Sequence, residues 1–130
     1  MKQVVYRGAE EHEPNSCTVP IFFSSSSVFA KTYGTVANYE ITFSNPFDTG
    51  EENDIRCLLN KVLEIIDEYS ESTFRSFEEI EESGLMYHDT WEMFEPYMDE
   101  IRRFGYDSMI IYEGGIKNYI LFDSCQYKRV

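Results

Sequence analysis

Two apolar runs near the end of the chain constrain its fold more than any other feature. The runs cover residues 108–112 and 119–122, which is strand length, and a turn containing Gly114 and Gly115 separates them. This pattern predicts a β-hairpin, because glycines accept the backbone conformations that tight turns require. Glu113 lies at the mouth of the predicted turn. A further extended segment follows the hairpin, so the chain is expected to end in β structure.

The beginning of the chain is also predicted to be extended. Apolar residues bounded by polar turn formers indicate short strands at 3–6 and 20–24, and a helix is expected at 28–33. Residues 38–43 alternate between apolar and polar side chains, which is typical of a half-buried strand. Pro46 disfavours continuation of that strand, so the first set of strands should end before it.

The middle of the chain has a helical period instead. Apolar residues recur three and four positions apart, which places them on one stripe of a helix. The stripe consists of Ile55, Leu58, Leu59, Val62, Ile66 and Tyr69. We therefore expect one helix over residues 53–69, with Asn53 or Asp54 as its cap.

Two more helices are predicted before the terminal hairpin. A short one is expected at 74–80, and another should follow Pro96, since a first helical turn tolerates proline. The second helix should end at 102–103, with Gly105 as a left-handed stop. Residues 51–104 are thus predicted to form a helical insert between the N-terminal and C-terminal strands.

Length and composition predict a single domain over residues 1–130. The chain is 42% hydrophobic and 16% aromatic, which supplies a packed core and argues against disorder. Cys17, Cys57 and Cys125 lack the spacing of a disulfide framework or a structural zinc site, so no metal is expected. The sequence shows neither a signal peptide nor an apolar stretch of ~20 residues, which predicts a cytoplasmic protein that does not enter membranes.

The net charge of −13 is concentrated in the insert. Of the 24 acidic residues, 16 fall between residues 51 and 100. Direct binding to nucleic acid is disfavoured, because phosphate contacts require lysine and arginine. The acidic surface has two interpretations: it attracts a basic partner such as a nucleic-acid-binding protein, or it is a solvated helical face that maintains solubility.

Three short segments carry the chemical information of the sequence. None of them is a phosphate loop, a dinucleotide fingerprint or a nucleophile elbow. The segments are Tyr6-Arg7-Gly8; Phe22-Phe23-Ser24-Ser25-Ser26-Ser27 with Ala30 and Tyr33; and Gly105-Tyr106-Asp107 with Tyr119-Ile120-Leu121-Phe122-Asp123.

In their order and spacing these segments resemble the NAD-cleaving core of the ADP-ribosyltransferase family. The resemblance covers residues 1–48 and 105–130. It implies an α+β fold, namely an ADP-ribosyltransferase-like split β-sandwich with an acidic helical insert between the N-terminal and C-terminal strands. It also implies that the cofactor is NAD.

The resemblance implies roles in NAD binding as well. The planar guanidinium of Arg7 would donate to the pyrophosphate or the ribose hydroxyls. Serine hydroxyls would fix the nicotinamide ribose, and an aromatic ring would stack on the nicotinamide. The implied cofactor-binding residues are Tyr6, Arg7, Gly8, Phe22, Phe23, Ser24, Ser26 and Tyr33.

The catalytic acid is where the chain departs from the family. Family members have a glutamate at the position of Asn118, which accepts a hydrogen bond but carries no charge. Glu113 lies five residues earlier and is the candidate carboxylate for stabilising the cation-like ribose. A small group of phage-encoded anti-CRISPR proteins is similar in this offset and in its helical insert. Glu113 and Asn118 are therefore the implied catalytic residues, and the implied setting is the cytoplasm of an infected host.

Two functions are consistent with the sequence. The first is a mono-ADP-ribosyltransferase that cleaves NAD and transfers ADP-ribose to a protein target, one that is basic or binds nucleic acid. The alternative is an inactive scaffold with the same fold that inhibits such a partner through its acidic helical face.

The local features also have structural interpretations. Arg7 would form an ion pair with Glu10 or Glu11. The serine run would cap a helix through Ser27. Glu113 would be an exposed turn residue beside the glycine pair.

Overall fold

The computed structural model describes residues 2–10, 20–67 and 72–130. These residues form a mixed α+β structure with a seven-stranded sheet, a separate two-stranded hairpin and five short α-helices. The strands are β1 (Lys2–Ala9), β2 (Ile21–Ser24), β3 (Thr35–Thr42), β4 (Pro46–Asp48), β5 (Ile65–Asp67), β6 (Ser72–Phe74), β7 (Ser108–Glu113), β8 (Ile116–Leu121) and β9 (Tyr127–Arg129). The helices are α1 (Ser27–Lys31), α2 (Glu52–Leu59), α3 (Phe77–Glu82), α4 (Trp91–Phe94) and α5 (Met98–Arg103), with 3₁₀ turns at Glu95–Tyr97 and Ser124–Gln126.

The large sheet consists of two well-paired halves. Its strand order is β4-β7-β8-β2-β1-β3-β9, in which β4 and β7 are parallel and all other neighbours are antiparallel. β1 pairs with β3 along its whole length, and β2 pairs with β8 over all four of its residues. Within the described residues, β1 and β2 pair only at Tyr6 opposite Ser24. Strand pairing among the described residues therefore joins the two halves at a single residue pair.

The predicted terminal hairpin is confirmed. β7 and β8 pair antiparallel over six positions and close at Glu113 opposite Ile116. Gly114 and Gly115 form the turn with φ of 58° and 80°, a conformation that glycine adopts without steric cost. Successive residues of both strands enter different hydrophobic cores, so both faces of the hairpin are covered. This explains why the two strands read as continuous apolar runs rather than as alternating ones.

Two hydrophobic cores lie on opposite faces of the sheet, since side chains alternate along a strand. The first core packs the insert against one face of β7 and β8, and the second covers their other face together with β1, β2 and β3. Fully buried members of the first core include Ile55, Leu58, Phe94, Ile101, Met109, Ile111 and Ile120. The second core includes Val5, Ile21, Phe23, Tyr39, Ile41 and Leu121.

The predicted helix over residues 53–69 is wrong beyond its first part. α2 covers the beginning of the stripe, but the chain then turns into the hairpin of β5 and β6. Ile65 is fully buried opposite Phe74, whereas Ile66 on the predicted stripe is 40% exposed. Pairing with β6 brings both Ile65 and Phe74 into the first core, which outweighs the helical spacing of β-branched residues with modest helix propensity. Tyr69 lies outside the described residues. The insert is therefore not purely helical.

The other elements agree more closely with the pattern. The helix predicted after Pro96 is α5, which ends before Gly105 with φ of 93°. The helix predicted at 74–80 begins later, as α3, because Phe74 belongs to β6 and Ser76 caps the helix. The strand before Pro46 was expected to end there, and β3 does end at Thr42. Pro46 then begins β4, an edge strand, where a proline without an N–H is tolerated.

Two of the three cysteines can be placed. Cys57 and Cys125 are exposed and form no disulfide within the described residues, and Cys17 lies outside those residues. Among the helices described, none has the length and apolar character that crossing a bilayer requires.

Candidate functional site

A cleft of about 550 Å³ opens where β1 and β2 separate. Its volume lies within the range of about 300–1,000 Å³ that is usual for small-molecule and cofactor sites. Both halves of the sheet line it, together with α1 and the start of α4. Nine of the ten candidate site residues line this cleft: Tyr6, Arg7, Gly8, Phe22, Phe23, Ser24, Tyr33, Glu113 and Asn118.

Three of these residues form one row across the sheet. Tyr6 pairs with Ser24, Ser24 pairs with Asn118, and Asn118 pairs with Ile111. Directly paired residues present their side chains on the same face of a sheet. Glu113 is two residues beyond Ile111 on β7 and so belongs to that face as well. Strand register thus brings together side chains that are far apart in the sequence.

Arg7 crosses the gap between the two halves of the sheet. Its Nη1 donates to the backbone carbonyl of Phe22 at 3.1 Å. In the described part of the chain it forms no ion pair with Glu10, and Glu11 lies outside that part. A guanidinium has five N–H donors, so the bond to Phe22 leaves four for a ligand, and Arg7 is among the residues that line the cleft.

The glycine of the first motif allows α1 to lie against β1. A Cβ on Gly8 would be 1.7 Å from the carbonyl oxygen of Ala30, so a larger residue would displace the helix. The N-terminus of α1 is capped by Ser26, whose hydroxyl accepts from the Phe29 N–H at 3.2 Å. The serine run therefore does cap a helix, although through Ser26 and not through Ser27. Ser26 is the candidate that does not line the cleft.

The aromatic rings differ in their availability to a ligand. Phe22 lies edge-on to Trp91 with ring centroids 4.8 Å apart, and both line the cleft. Tyr33 is 60% exposed at the same cleft. Phe23 alternates with Phe22 along β2, so its ring points to the opposite face, where it is 2% exposed and packs against Tyr39. Phe22 and Tyr33 are therefore the candidate stacking rings, and Phe23 belongs to the core.

Glu113 is half-buried, and its environment opposes its negative charge. Burial raises the pKa of Glu113 most, a hydrogen bond from Asn118 lowers it, and the charges of Asp89 and Glu92 raise it further. Burial and, after it, the negative charge of Glu113 raise the pKa of the Tyr33 hydroxyl. Glu113 is therefore not a freely solvated turn residue. A carboxylate perturbed by burial and by specific neighbours in a cleft is typical of a functional site.

Asn118 connects this carboxylate to the floor of the cleft. Its side chain is buried, and its Nδ2 donates to Oε1 of Glu113 at 3.3 Å. Its Oδ1 is also buried and has no hydrogen-bond partner among the described residues. An unpaired buried acceptor costs about 1–3 kcal/mol, so such an atom at a cleft is suited to a ligand that donates an O–H or N–H.

A buried threonine pair fixes the start of α4 against β7. The hydroxyl oxygens of Thr49 and Thr90 are 2.7 Å apart, and Thr49 donates to a β7 carbonyl at 2.9 Å. Thr90 therefore donates to Thr49, and its Oγ1 accepts from the Tyr112 N–H at 2.9 Å. The Thr90 N–H donates to the Tyr112 carbonyl at 3.0 Å, and Asp89 forms an isolated bridge with Glu113. Residues 89–90 thus act as a short extra strand beside the end of β7.

This pairing brings Trp91 and Glu92 of the insert into the cleft. Neither belongs to the three motif segments. The run Asp89-Thr90-Trp91-Glu92 has the pattern of a helix cap and contains the single tryptophan of the chain, and it is the sequence signal that marks them. That run does not show where the segment docks, because the contact depends on its pairing with β7.

Comparisons with known proteins give one informative result. No family model matches the sequence, and no curated protein matches it at a significant level. A solved structure described as the crystal structure of an anti-CRISPR protein is similar, with a TM-score of 0.54 and 14% identity. The similarity covers 100% of this chain and 96% of that one. At this level of identity it shows a shared fold, and the insert is part of it.

Proposed function

We propose that this protein is a mono-ADP-ribosyltransferase that cleaves NAD and transfers ADP-ribose to a protein target. The observation that carries the proposal is the convergence of three distant segments on one cleft: residues 6–8, residues 22–24 and the hairpin residues Glu113 and Asn118. The resemblance to ADP-ribosyltransferases implies this convergence. A sheet without a functional site would not require these residues to meet in one cleft.

The architecture supports the same proposal. The insert and the terminal hairpin share one core, a second core lies on the other face of the sheet, and β1 and β2 pair only at Tyr6 and Ser24 among the described residues. This is the arrangement expected of an ADP-ribosyltransferase-like split β-sandwich, with the acidic insert placed between its N-terminal and C-terminal strands.

The charges in the cleft match those of NAD. The pyrophosphate of NAD is anionic, and the fork of Arg7 suits it. Phe22 and Tyr33 present rings for the nicotinamide. The carboxylate of Glu113 would lie beside the ribose and stabilise the positive charge that develops as the bond to nicotinamide breaks. Asn118 would hold that carboxylate in place and offer Oδ1 to a ribose hydroxyl.

The similarity to an anti-CRISPR protein supports an anti-defence role for this activity. We infer that the target is a basic or nucleic-acid-binding protein of the host. The net charge of −13 would attract such a protein and would repel free nucleic acid.

Labelled NAD tests the proposed activity. The protein is incubated with adenine-labelled NAD and a host lysate, and the products are examined by mass spectrometry. The expected result is one protein that gains the mass of ADP-ribose, together with released nicotinamide. Intact NAD and no modified protein under these conditions would contradict the proposal.

Binding of NAD can be followed through Trp91, the single tryptophan of the chain, because it lines the cleft. Titration with NAD should change its fluorescence. Arg7→Ala should weaken binding by about 10- to 150-fold, which corresponds to the loss of a charge-assisted hydrogen bond worth about 1.5–3 kcal/mol. Arg103→Ala, at an exposed position of α5, is the matched control and should bind like the wild type. Identical titrations for both variants would exclude Arg7 from the site.

A second candidate function is inhibition by binding alone. The observation that favours it is the acidic exposed face of α3, beside a groove of about 540 Å³ that Glu51, Glu52 and Glu81 line. Such a face is suited to a basic partner, whether or not NAD is cleaved.

Charge reversal separates this candidate from the enzyme. Glu81→Lys with Glu82→Lys should weaken target binding at least tenfold at low salt and less at high salt, because exposed charges are screened. The matched control is Glu95→Lys with Asp99→Lys, since both residues are exposed and belong to the 3₁₀ turn and α5 rather than to α3. If the inhibitory function needs the α3 face and persists in Arg7→Ala, the binding candidate is favoured over the enzyme.

A further inference from the structure

Asn118 has one buried hydrogen-bonding atom that the described fold does not use. The side chain is 1% exposed and its Nδ2 donates to Oε1 of Glu113, whereas its Oδ1 has no partner among the described residues. Most buried polar atoms in folded proteins are paired, so an unpaired acceptor at a cleft indicates a group that donates to it. Asn118 lines the cleft, so its Oδ1 is suited to a donor that enters there.

Glu113 itself becomes such a donor when it is protonated. A neutral carboxyl group has an O–H to donate, whereas an ionised carboxylate only accepts. Nδ2 of Asn118 therefore suits the ionised form of Glu113, and Oδ1 suits the neutral form. The two ends of a carboxamide have nearly the same size, so half a turn of the Asn118 amide exchanges them in the same space. One side chain can thus bond to Glu113 in either protonation state, through a different atom.

We propose that a ribose hydroxyl of NAD and the proton of Glu113 compete for Oδ1 of Asn118, so that NAD binding expels the proton and leaves Glu113 ionised. The inference rests on the proposed transferase function and adds a regulation of the same site by pH. It gives each end of the Asn118 amide a partner, namely Glu113 at Nδ2 and the substrate at Oδ1.

The surroundings of Glu113 favour its neutral form before NAD enters. Glu113 is half-buried, and burial raises its pKa most. The insert faces it with two further carboxylates, Asp89 and Glu92, whose charges raise that pKa as well. Tyr33, which follows α1, does not ionise in the range where Glu113 titrates, because its own pKa is raised above the usual tyrosine value. The free protein therefore holds the Glu113 proton more tightly than an exposed glutamate would.

Two cations on neighbouring strands have other partners. Arg7 on β1 lines the cleft, and its Nη1 donates to a β2 carbonyl at 3.1 Å. Lys117 precedes Asn118 on β8 and so points to the other face of the sheet, where its Nζ lies 5.9 Å from the centre of the Tyr119 ring. The hydrogen bond from Asn118 favours the charge of Glu113, so the orientation of that amide controls how readily Glu113 loses its proton.

The effect of pH on binding has a defined sign. A hydroxyl that donates to Oδ1 keeps Nδ2 turned towards Glu113, which favours the ionised carboxylate. Linkage is reciprocal, so loss of the proton strengthens binding by the same factor by which binding weakens the hold on the proton. Affinity should therefore rise by up to about tenfold per pH unit until the raised pKa of Glu113 is passed, and should be constant above it.

ADP-ribose is the probe that tests this exchange, because it keeps the ribose hydroxyls, lacks the positively charged ring and is not consumed. Calorimetric titration in two buffers of different ionisation enthalpy gives the number of protons released for each ADP-ribose bound. We expect about one proton near about pH 5 and none near about pH 9, with Kd falling over the same range. Glu95→Gln, at an exposed position outside the cleft, is the matched control and should release the same number.

Two variants identify the source of the proton. Glu113→Gln has no proton to release, so its Kd should not change with pH; it keeps Asp89, whose pKa is also raised, and so excludes that residue as the source. Asn118→Leu has a side chain of similar size without the amide, and it should bind ADP-ribose more weakly and without proton release. Its melting temperature shows that it is folded, and the comparison with Glu113→Gln does not depend on it.

Several results would overturn this inference and leave cleavage of NAD intact. They are binding of ADP-ribose by the wild type without proton release, equal release from Glu113→Gln, tighter binding at low pH, and release that persists in folded Asn118→Leu. Failure of ADP-ribose to bind where NAD binds would also contradict it, because the ribose hydroxyls would then make no measurable contact. If NAD neither binds nor loses nicotinamide, the proposed function itself fails, and the inference fails with it.

Discussion

Replacing Glu113 with glutamine is expected to lower ADP-ribose transfer by about 10²–10³-fold and at the same time to raise the melting temperature of the protein. A neutral amide cannot stabilise the cation-like ribose, and loss of one such electrostatic contact typically has an effect of this size. Glutamine keeps the shape of the side chain and still accepts from Nδ2 of Asn118, so the hairpin should be unchanged. The transfer rate at saturating NAD and the melting temperature measure the two effects.

The gain in stability should depend on pH in a defined direction. Burial, followed by the charges of Asp89 and Glu92, raises the pKa of Glu113 in the folded protein despite the bond from Asn118. The folded wild type therefore holds this proton more tightly than the unfolded chain does. Its stability is fully present below the ordinary glutamate pKa and falls as the pH rises to the raised value. The glutamine variant has no such dependence, so its advantage should be small near about pH 4 and largest at neutral pH.

The control for this experiment is Glu95→Gln, an exposed glutamate that does not line the cleft. It should leave both the transfer rate and the melting temperature unchanged. Wild-type transfer by Glu113→Gln would remove Glu113 from the mechanism. A lower melting temperature at neutral pH would show that its charge stabilises the fold, contrary to the burial argument.

Gly8→Ala is expected to disrupt the part of the site that β1 and α1 form. The new Cβ would lie 1.7 Å from the Ala30 carbonyl oxygen and 2.7 Å from the carbonyl carbon, and both atoms are backbone. α1 would have to move away from β1, and Tyr33 would move with it. Overpacking of this kind costs about 1–3 kcal/mol or more, which corresponds to a fall in melting temperature of about 10 °C. NAD-dependent fluorescence of Trp91 should be lost together with transfer.

Gly84→Ala is the matched control for that substitution. Gly84 has φ of 75°, and a Cβ there meets no atom within 4 Å. The only expected cost is left-handed strain of about 1 kcal/mol, with NAD binding retained. Equal melting temperatures for the two variants would show that α1 can move away from residue 8 at little cost in stability. Position 8 would then not require a residue as small as glycine.

The sequence predicted the features that rest on local signals. The terminal hairpin follows from apolar runs on either side of Gly114 and Gly115, and α5 follows from Pro96 and Gly105. Nine of the ten candidate site residues meet in one cleft: eight lie on β1, β2, β7 and β8, whose register aligns them, and Tyr33 follows α1. Ser26 is the exception, since a serine before a helix serves as a cap as readily as it contacts a ligand.

The features that sequence reasoning missed depend on contacts between distant segments. Ile65 and Phe74 pair in a hairpin that a helical spacing does not reveal, because burying both outweighs propensity. The ring of Phe23 faces the second core, although its neighbour Phe22 reaches the cleft. Trp91 and Glu92 reach the site only because Thr90 docks on β7, and no local pattern encodes that contact.

The single pairing of Tyr6 with Ser24 has a mechanical consequence. One ladder pair is a weak connection within a sheet, so the seam between β1 and β2 depends on the second core, which packs side chains from both sides of it. A dinucleotide held by Arg7 on one side of the seam and by Glu113 on the other would brace it. Bound NAD would then make its own binding site more rigid, and release of the products would make the site more flexible again.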